Sequence, residues 1–249
     1  MRRLIATAAV AVGLVAAAPA AASPEFANGF QMAFGSGALG VSTGLQTLMT
    51  WSDPGALFGV PAVLRRIQFQ FPPGTTLNTA ALPACMASDP QVVLEQSAAC
   101  PAASVLGSGT TVGELATGAP IDTHVTLFNA PSQIIVLVDL AGLPATEFRD
   151  DVGTDTITVN PALPLGVSLT RLQLTVNPRT AGDLAYLRTP SSCPSSGQWT
   201  ITATFSYANG PSDTRTSESP CQAAPAPPVA PSHPAPAKRP ARHRHRRRR

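Results

Sequence analysis

The chain has 249 residues, with 17 Lys and Arg against 14 Asp and Glu, a formal charge of +3, and only 5% aromatic residues. Trp51 and Trp199 are its two tryptophans, which counts against a carbohydrate site built on stacked rings, and no G-x-x-x-x-G-K stretch offers a phosphate cradle. The near balance of charge conceals a division: from Ser23 to Cys221 seven arginines stand against all 14 acids, whereas Lys238 onward carries eight basic residues and no acid.

Residues 1–22 read as a secretory signal peptide, with a cationic start at Arg2 and Arg3, an apolar run from Leu4 of about 15 residues and a small-residue end. Ala20 and Ala22 form an A-x-A cleavage site before Ser23, and Ala18-Pro19-Ala20 offers a second. The run is shorter than the ~20 residues of a spanning helix, and nothing downstream is long and apolar enough, so no transmembrane segment is expected after cleavage. With no cysteine before Cys85, a lipid on a mature N-terminal cysteine is excluded. The expected location is secreted, or on the extracellular face of the cell envelope.

Residues 23–221 are long enough to bury one substantial core, and the hydrophobic pattern in them has period two. In Leu64 to Phe71, Ile67, Phe69 and Phe71 share one face, with Gln68 and Gln70 on the other and Leu64 opposite Arg65. Asp122 to Asn129 puts Thr123, Val125 and Leu127 inward and Asp122, His124 and Thr126 outward. The stretches "TITVN", "SLTRLQLTVN" and "WTITATFSY" alternate likewise, the last with Trp199, Ile201, Ala203 and Phe205 inward. Such alternation predicts strands with one buried and one wet face. "SQIIVLVDLAG", Ser132 to Gly142, is continuously apolar in its middle and predicts a central strand covered on both sides. Only short stretches such as Asp89 to Gln96 suggest helix. Eight to ten short strands separated by "FPPGT", "NPALPLG", "VNPRTAGD" and "YANGPSD" turns predict an all-β domain, an antiparallel β-sandwich or jelly roll.

The four cysteines, Cys85, Cys100, Cys193 and Cys221, all lie in this body. An even number in an exported chain predicts two disulfides, and of the three possible pairings Cys85 with Cys100 and Cys193 with Cys221 close the short loops. A four-thiolate zinc site fails because no C-x2-4-C pair exists.

Few motifs carry chemistry. "GVSTG", Gly40 to Gly44, matches the nucleophile elbow with Ser42, but its flanks lack a strand-turn-helix pattern. His124 is the one histidine of the body, so any Ser-His-Asp arrangement must use it; beside Asp122 on an outward face it reads as a surface histidine. The acids of "EFRDDVGTD", with Asp150, Asp151 and Asp155, raise a glycosidase pair or a calcium ligand set, yet adjacent acids of this kind read first as a solvated loop. No catalytic residue, cofactor or metal is therefore expected, although a secreted hydrolase acting on wall polysaccharide or ester stays open as an alternative.

Residues 222–241 are dominated by proline and alanine and read as a semi-rigid spacer. Residues 242–249 form a basic, disordered tail whose Arg242, Arg244, Arg246, Arg247, Arg248 and Arg249 are the expected polyanion-binding residues. Export separates them from the genome, so the expected partner is an anionic envelope polymer or lipid headgroup rather than nucleic acid, with extracellular DNA a further alternative. His243 and His245 would add charge below about pH 6.5, and the surrounding guanidinium groups oppose a metal at His233, His243 and His245. No protein partner can be read.

Three stretches, "LRRIQFQFPPGTTLNTAALPAC", "CPAASVLGSGTTVGEL" and "CPSSGQWTITATFSYANG", carry a resemblance. Over most of residues 62–221 the chain is similar to a group of uncharacterised exported proteins of high-GC actinobacteria, marked by Leu82-Pro83-x-Cys85, Cys100-Pro101-x-x-Ser104-x-x-Gly107 and Cys193 followed by Trp199. The resemblance implies export and a disulfide-containing β body, and no activity. Together these readings predict a secreted binding or structural module of unknown ligand.

Overall fold

The computed structural model describes residues 29–140, 144–163, 166–208, 210 and 212–222. The expected signal peptide, the basic tail and all of the expected spacer beyond Gln222 lie outside them. In chain order the strands are β1 (Gly29–Phe34), β2 (Leu45–Thr50), β3 (Leu64–Gln70), β4 (Thr76–Leu77), β5 (Val105–Leu115), β6 (Pro120–Ala130), β7 (Gln133–Leu140) and β8 (Thr146–Val152). There follow β9 (Thr156–Val159), β10 (Val167–Val176), β11 (Thr180–Ala181), β12 (Leu184–Ala185), β13 (Leu187–Arg188), β14 (Gln198–Tyr207) and β15 (Ser212–Pro220). Among the described residues one α-helix occurs, α1 (Asp89–Glu95).

The all-β antiparallel expectation holds, and both layers come from one sheet. Eleven strands pair in the order β1-β2-β10-β5-β6-β7-β8-β9-β3-β14-β15, every neighbour antiparallel. The sheet curls until its edges meet: Met32 N–H of β1 donates to Ser217 Oγ of β15 at 2.9 Å, and Phe34 N–H donates to Ser219 Oγ at 3.0 Å. Ser217 Oγ also donates back to the Met32 carbonyl at 3.0 Å. An odd number of antiparallel strands leaves the two edges running the same way, and the parallel offsets 32 to 217 and 34 to 219 agree. Serine hydroxyls thus occupy the seam where a ladder of main-chain bonds would otherwise run, satisfying edge groups whose exposure would invite pairing with other chains.

Curvature is built into the strands. A bulge between Val105 and Gly107 bends β5, and a second between Leu169 and Arg171 bends β10. Between them a Cβ added at Gly109 would lie 1.9 Å from the Gln173 carbonyl oxygen, so the two strands approach more closely there than any side-chain-bearing residue allows. A third irregularity, opposite Ser206 and Tyr207 in β3, turns both Leu64 and Ile67 inward, although two-residue alternation alone would separate them.

The inner face holds the main core. Trp199, Ile201, Ala203 and Phe205 of β14 are completely buried, as the alternation predicts. Trp199 packs edge-on to Phe34 with ring centroids 5.5 Å apart, and its indole N–H donates to the Ser192 carbonyl at 3.0 Å. Phe30 likewise meets Phe69 and Phe205, so β1 packs across the interior as well as along the seam.

A smaller core lies outside the sheet, where residues 82–104 fold over β6, β7 and β8. Ile134, Ile135, Val136 and Leu137 of β7 are all buried, the doubly covered strand that its apolar run predicts. Asn129 fastens this cover: its side-chain amide donates to the carbonyls of Thr79, Leu82 and Pro83 at 2.9 to 3.2 Å, and its own carbonyl accepts from Cys85 N–H at 2.7 Å. Inside the cover, α1 starts at a capping box in which Ser88 N–H donates to the Gln91 side chain at 3.0 Å, with Pro90 in the first turn. Both expected disulfides are present, Cys85–Cys100 closing the cover and Cys193–Cys221 tying the end of β15 to the loop before β14.

Removing the seam hydroxyl tests its role. Ser219 is buried, so Ser219→Ala leaves the Phe34 N–H without an acceptor and is expected to cost about 1–3 kcal/mol. Thr214→Ala, which removes an exposed hydroxyl facing Thr204, is expected to stay within about 0.5 kcal/mol. Urea unfolding of both variants reads the difference, and equal losses would show that the seam does not depend on Ser219.

Candidate functional site

The rolled sheet encloses a cavity of about 130 Å³ between its opposing walls. Leu45 and Met49 of β2, Val125 of β6, Val136 of β7 and Phe69 of β3 point into it from strands spread around the sheet. The polar residues on its wall are Thr47, Thr111 and Asp150. Thr111 is satisfied by a hydroxyl contact with Thr123, and among the described residues Asp150 is the one charged group that lines the lumen.

Asp150 is inward because β8 alternates. Phe148, Asp150 and Val152 share the inner face, while Asp151 is exposed on the outer one. The expectation of a solvated acidic loop at residues 149–151 is therefore corrected: these residues form a strand, and one of the two acids is 5% exposed. One consequence is electrostatic. Burial pushes the Asp150 carboxyl well above the usual carboxylate range, a hydrogen bond from the Asn160 backbone N–H opposes the shift, and the neighbouring Asp151 charge adds to it. Its Oδ1 has no hydrogen-bonding partner in the protein. Tyr186, also buried and with its hydroxyl unpartnered, is raised by burial and then by the Asp150 charge.

A second acid, Glu147, sits on the outer side of β8 under α1. Arg149 Nε lies 2.7 Å from Asp89 Oδ1 and 3.5 Å from Glu147 Oε1, and Arg149 also donates to the Ala87 carbonyl at 2.9 Å. Burial and then the Asp89 charge raise Glu147, while Arg149 lowers it. This cluster clamps the cover to β8.

The residues of the hydrolase alternative are not brought together. Ser42 bridges Arg188 beyond the Leu45 end of β2, its Oγ buried without a hydrogen bond. His124 stands exposed on the outer face of β6, directly across from Asp139 of β7 and two residues along the same face from Asp122. Asp150 faces the lumen and Asp151 the outside. Among the described residues no cluster of three or more His, Cys, Asp or Glu side chains is arranged to hold a metal ion. Trp51 and Trp199 are both buried, so neither offers a platform for a sugar.

The two disulfides suit an oxidising compartment, and no helix among the described residues is long and apolar enough to cross a membrane. Comparison of the chain with models of known protein families, with curated proteins and with solved structures finds no match.

The buried acid should make stability depend on pH. Below about pH 4 the carboxyl is protonated in both folded and unfolded chains; as pH rises the unfolded chain ionises first, and the folded state loses stability until its own carboxyl ionises. Asp150→Asn removes that loss and keeps an oxygen for the Asn160 N–H. The variant is expected to gain on the wild type as pH rises above about 4, until the folded carboxyl itself ionises. Urea midpoints at half-unit pH intervals measure the gap, and a gap that stays constant would refute the assignment.

Proposed function

We propose that the protein is a binding module that works outside the cytoplasm, taking a small apolar ligand into the lumen of its rolled sheet and attaching to an anionic envelope surface through Arg242, Arg244 and Arg246 to Arg249. The observation that carries the first part is the cavity of about 130 Å³ walled by aliphatic and aromatic side chains. It is close in size to the engineered apolar cavity of about 150 Å³ that admits benzene, and a closed sheet with a filled or ligand-holding interior is a recurrent binding architecture. The second part rests on charge: the body from Ser23 to Cys221 has twice as many acids as bases, whereas Lys238 onward carries eight basic residues and no acid. The body's own surface would be repelled by an anionic wall, so the tail is the element suited to attachment.

Toluene tests the lumen. Added to the protein with 13C-labelled methionine methyls, it is expected to shift the signals of Met32 and Met49, which line the cavity, and to leave the exposed Met86 unchanged. Shifts of equal size at all three, or none, would sink the reading. Cell fractionation tests the tail: the full chain is expected in the envelope fraction and released by high salt, whereas a version ending at Cys221 is expected in the medium. Equal distribution of the two would rule out the tether.

A further inference from the structure

A carboxylic acid on the wall of an otherwise apolar cavity carries a free-energy cost that a leucine or valine would not. Among the described residues the one other buried group that feels its charge is Tyr186, whose hydroxyl makes no hydrogen bond in the protein either. Asp150 forms no salt bridge among those found in the described residues, and its one backbone contact, from Asn160, engages one oxygen. Oδ1, on a side chain 5% exposed, makes no hydrogen bond to the protein. Phe148, two residues earlier on the same strand, and Val159 of β9 line the same space, so the acid has apolar neighbours on its own wall. A second, smaller void of about 30 Å³ shares Phe148, Val138 and Thr111 with this wall, and across the two spaces the polar lining consists of threonines and the one acid.

We propose that Asp150 is the polar anchor of the lumen and that the preferred ligand is a small neutral alcohol or phenol, its hydrocarbon body filling the cavity and its hydroxyl bonded to Oδ1. The inference rests on the lumen reading above. A hydroxyl suits the site because it both donates and accepts, and so meets the acid in either protonation state. A cationic amine would need an ionised partner and would lose most of its hydration in a lumen that offers one acid and two threonines in return. A second carboxylate would face Asp150 as a like charge. The volume admits a single ring or a short chain, comparable with benzene in a cavity of about 150 Å³.

The test compares 4-methylphenol, toluene and 4-methylbenzylamine, matched in shape, binding to the full chain and to Asp150→Leu. In the wild type 4-methylphenol is expected to bind at least as tightly as toluene, although its hydroxyl leaves water. In Asp150→Leu its affinity relative to toluene is expected to fall at least about tenfold, since the hydroxyl then enters without a partner. The Asp150 carboxyl carbon signal, followed by NMR in the wild type, is expected to move with 4-methylphenol and not with toluene, which tests the contact even where the variant folds poorly. An unchanged phenol-to-toluene ratio together with an unmoved carboxyl signal overturns the anchor and leaves the lumen reading standing. Tighter binding of the amine overturns the neutral ligand class, and failure of all three ligands to bind takes down both readings.

Discussion

Closure of the sheet is the constraint on which the rest of the structure depends. Ten antiparallel pairings joining eleven strands bring the first and last edges together in the same direction, and the register between β1 and β15 is held by two serine side chains that reach main-chain groups. A seam of this kind is narrower in its demands than a full ladder. It needs a small hydroxyl side chain at every second residue of β15, and Ser217 and Ser219 supply it. Bulges in β5 and β10 and the close passage of Gly109 past Gln173 give the sheet the coiling that lets those edges meet.

Once the sheet is closed, each inward residue is surrounded by other inward residues, and this makes the position of Asp150 consequential. On an open sheet the same strand would leave its acid at a wet face. Here residues of β2, β3, β6 and β10 line the same space, and the carboxyl keeps one oxygen without a protein partner. The outer face is used differently. Over β6 to β8 it carries a second layer held by Cys85–Cys100, by the Asn129 amide and by the Arg149 cluster, which stiffens the wall that bears Asp150.

The proposed ligand site and the proposed attachment site are built from opposite materials. The lumen is largely apolar, so its selectivity would come from shape and from Asp150, the acid on its wall. The tail is all charge, so its affinity would follow ionic strength and be indifferent to the detailed structure of the polyanion. Such a division lets a protein be held at a surface without that surface competing for the ligand.

Much of the fold was legible before the structure. The two-residue alternation of Leu64 to Phe71, of Asp122 to Asn129 and of Trp199 to Tyr207 reads directly as strand, because period two is what a pleated ribbon with one dry face imposes. The uninterrupted apolar run of β7 announced cover on both sides, and the spacings of the four cysteines pointed to the pairing that forms. Other elements were hidden. β1 and β2 sit in the Gly-rich stretch that drew attention to Ser42, and β15, "SDTRTSESP", has no apolar residue to mark an inner face because its inward serines serve the seam.

Asp150 shows where local pattern stops. The alternation of Phe148, Asp150 and Val152 was available in the sequence, but beside Arg149 and Asp151 it reads as part of a polar loop. The order of amino acids alone determined the strands, the disulfide loops and the separation of charge, since these rest on periodicity, short-range closure and composition. Which acid faces an apolar lumen was decided only by the tertiary structure, because burial depends on the strands that stand opposite, and those are brought there by a closure 185 residues apart in the chain.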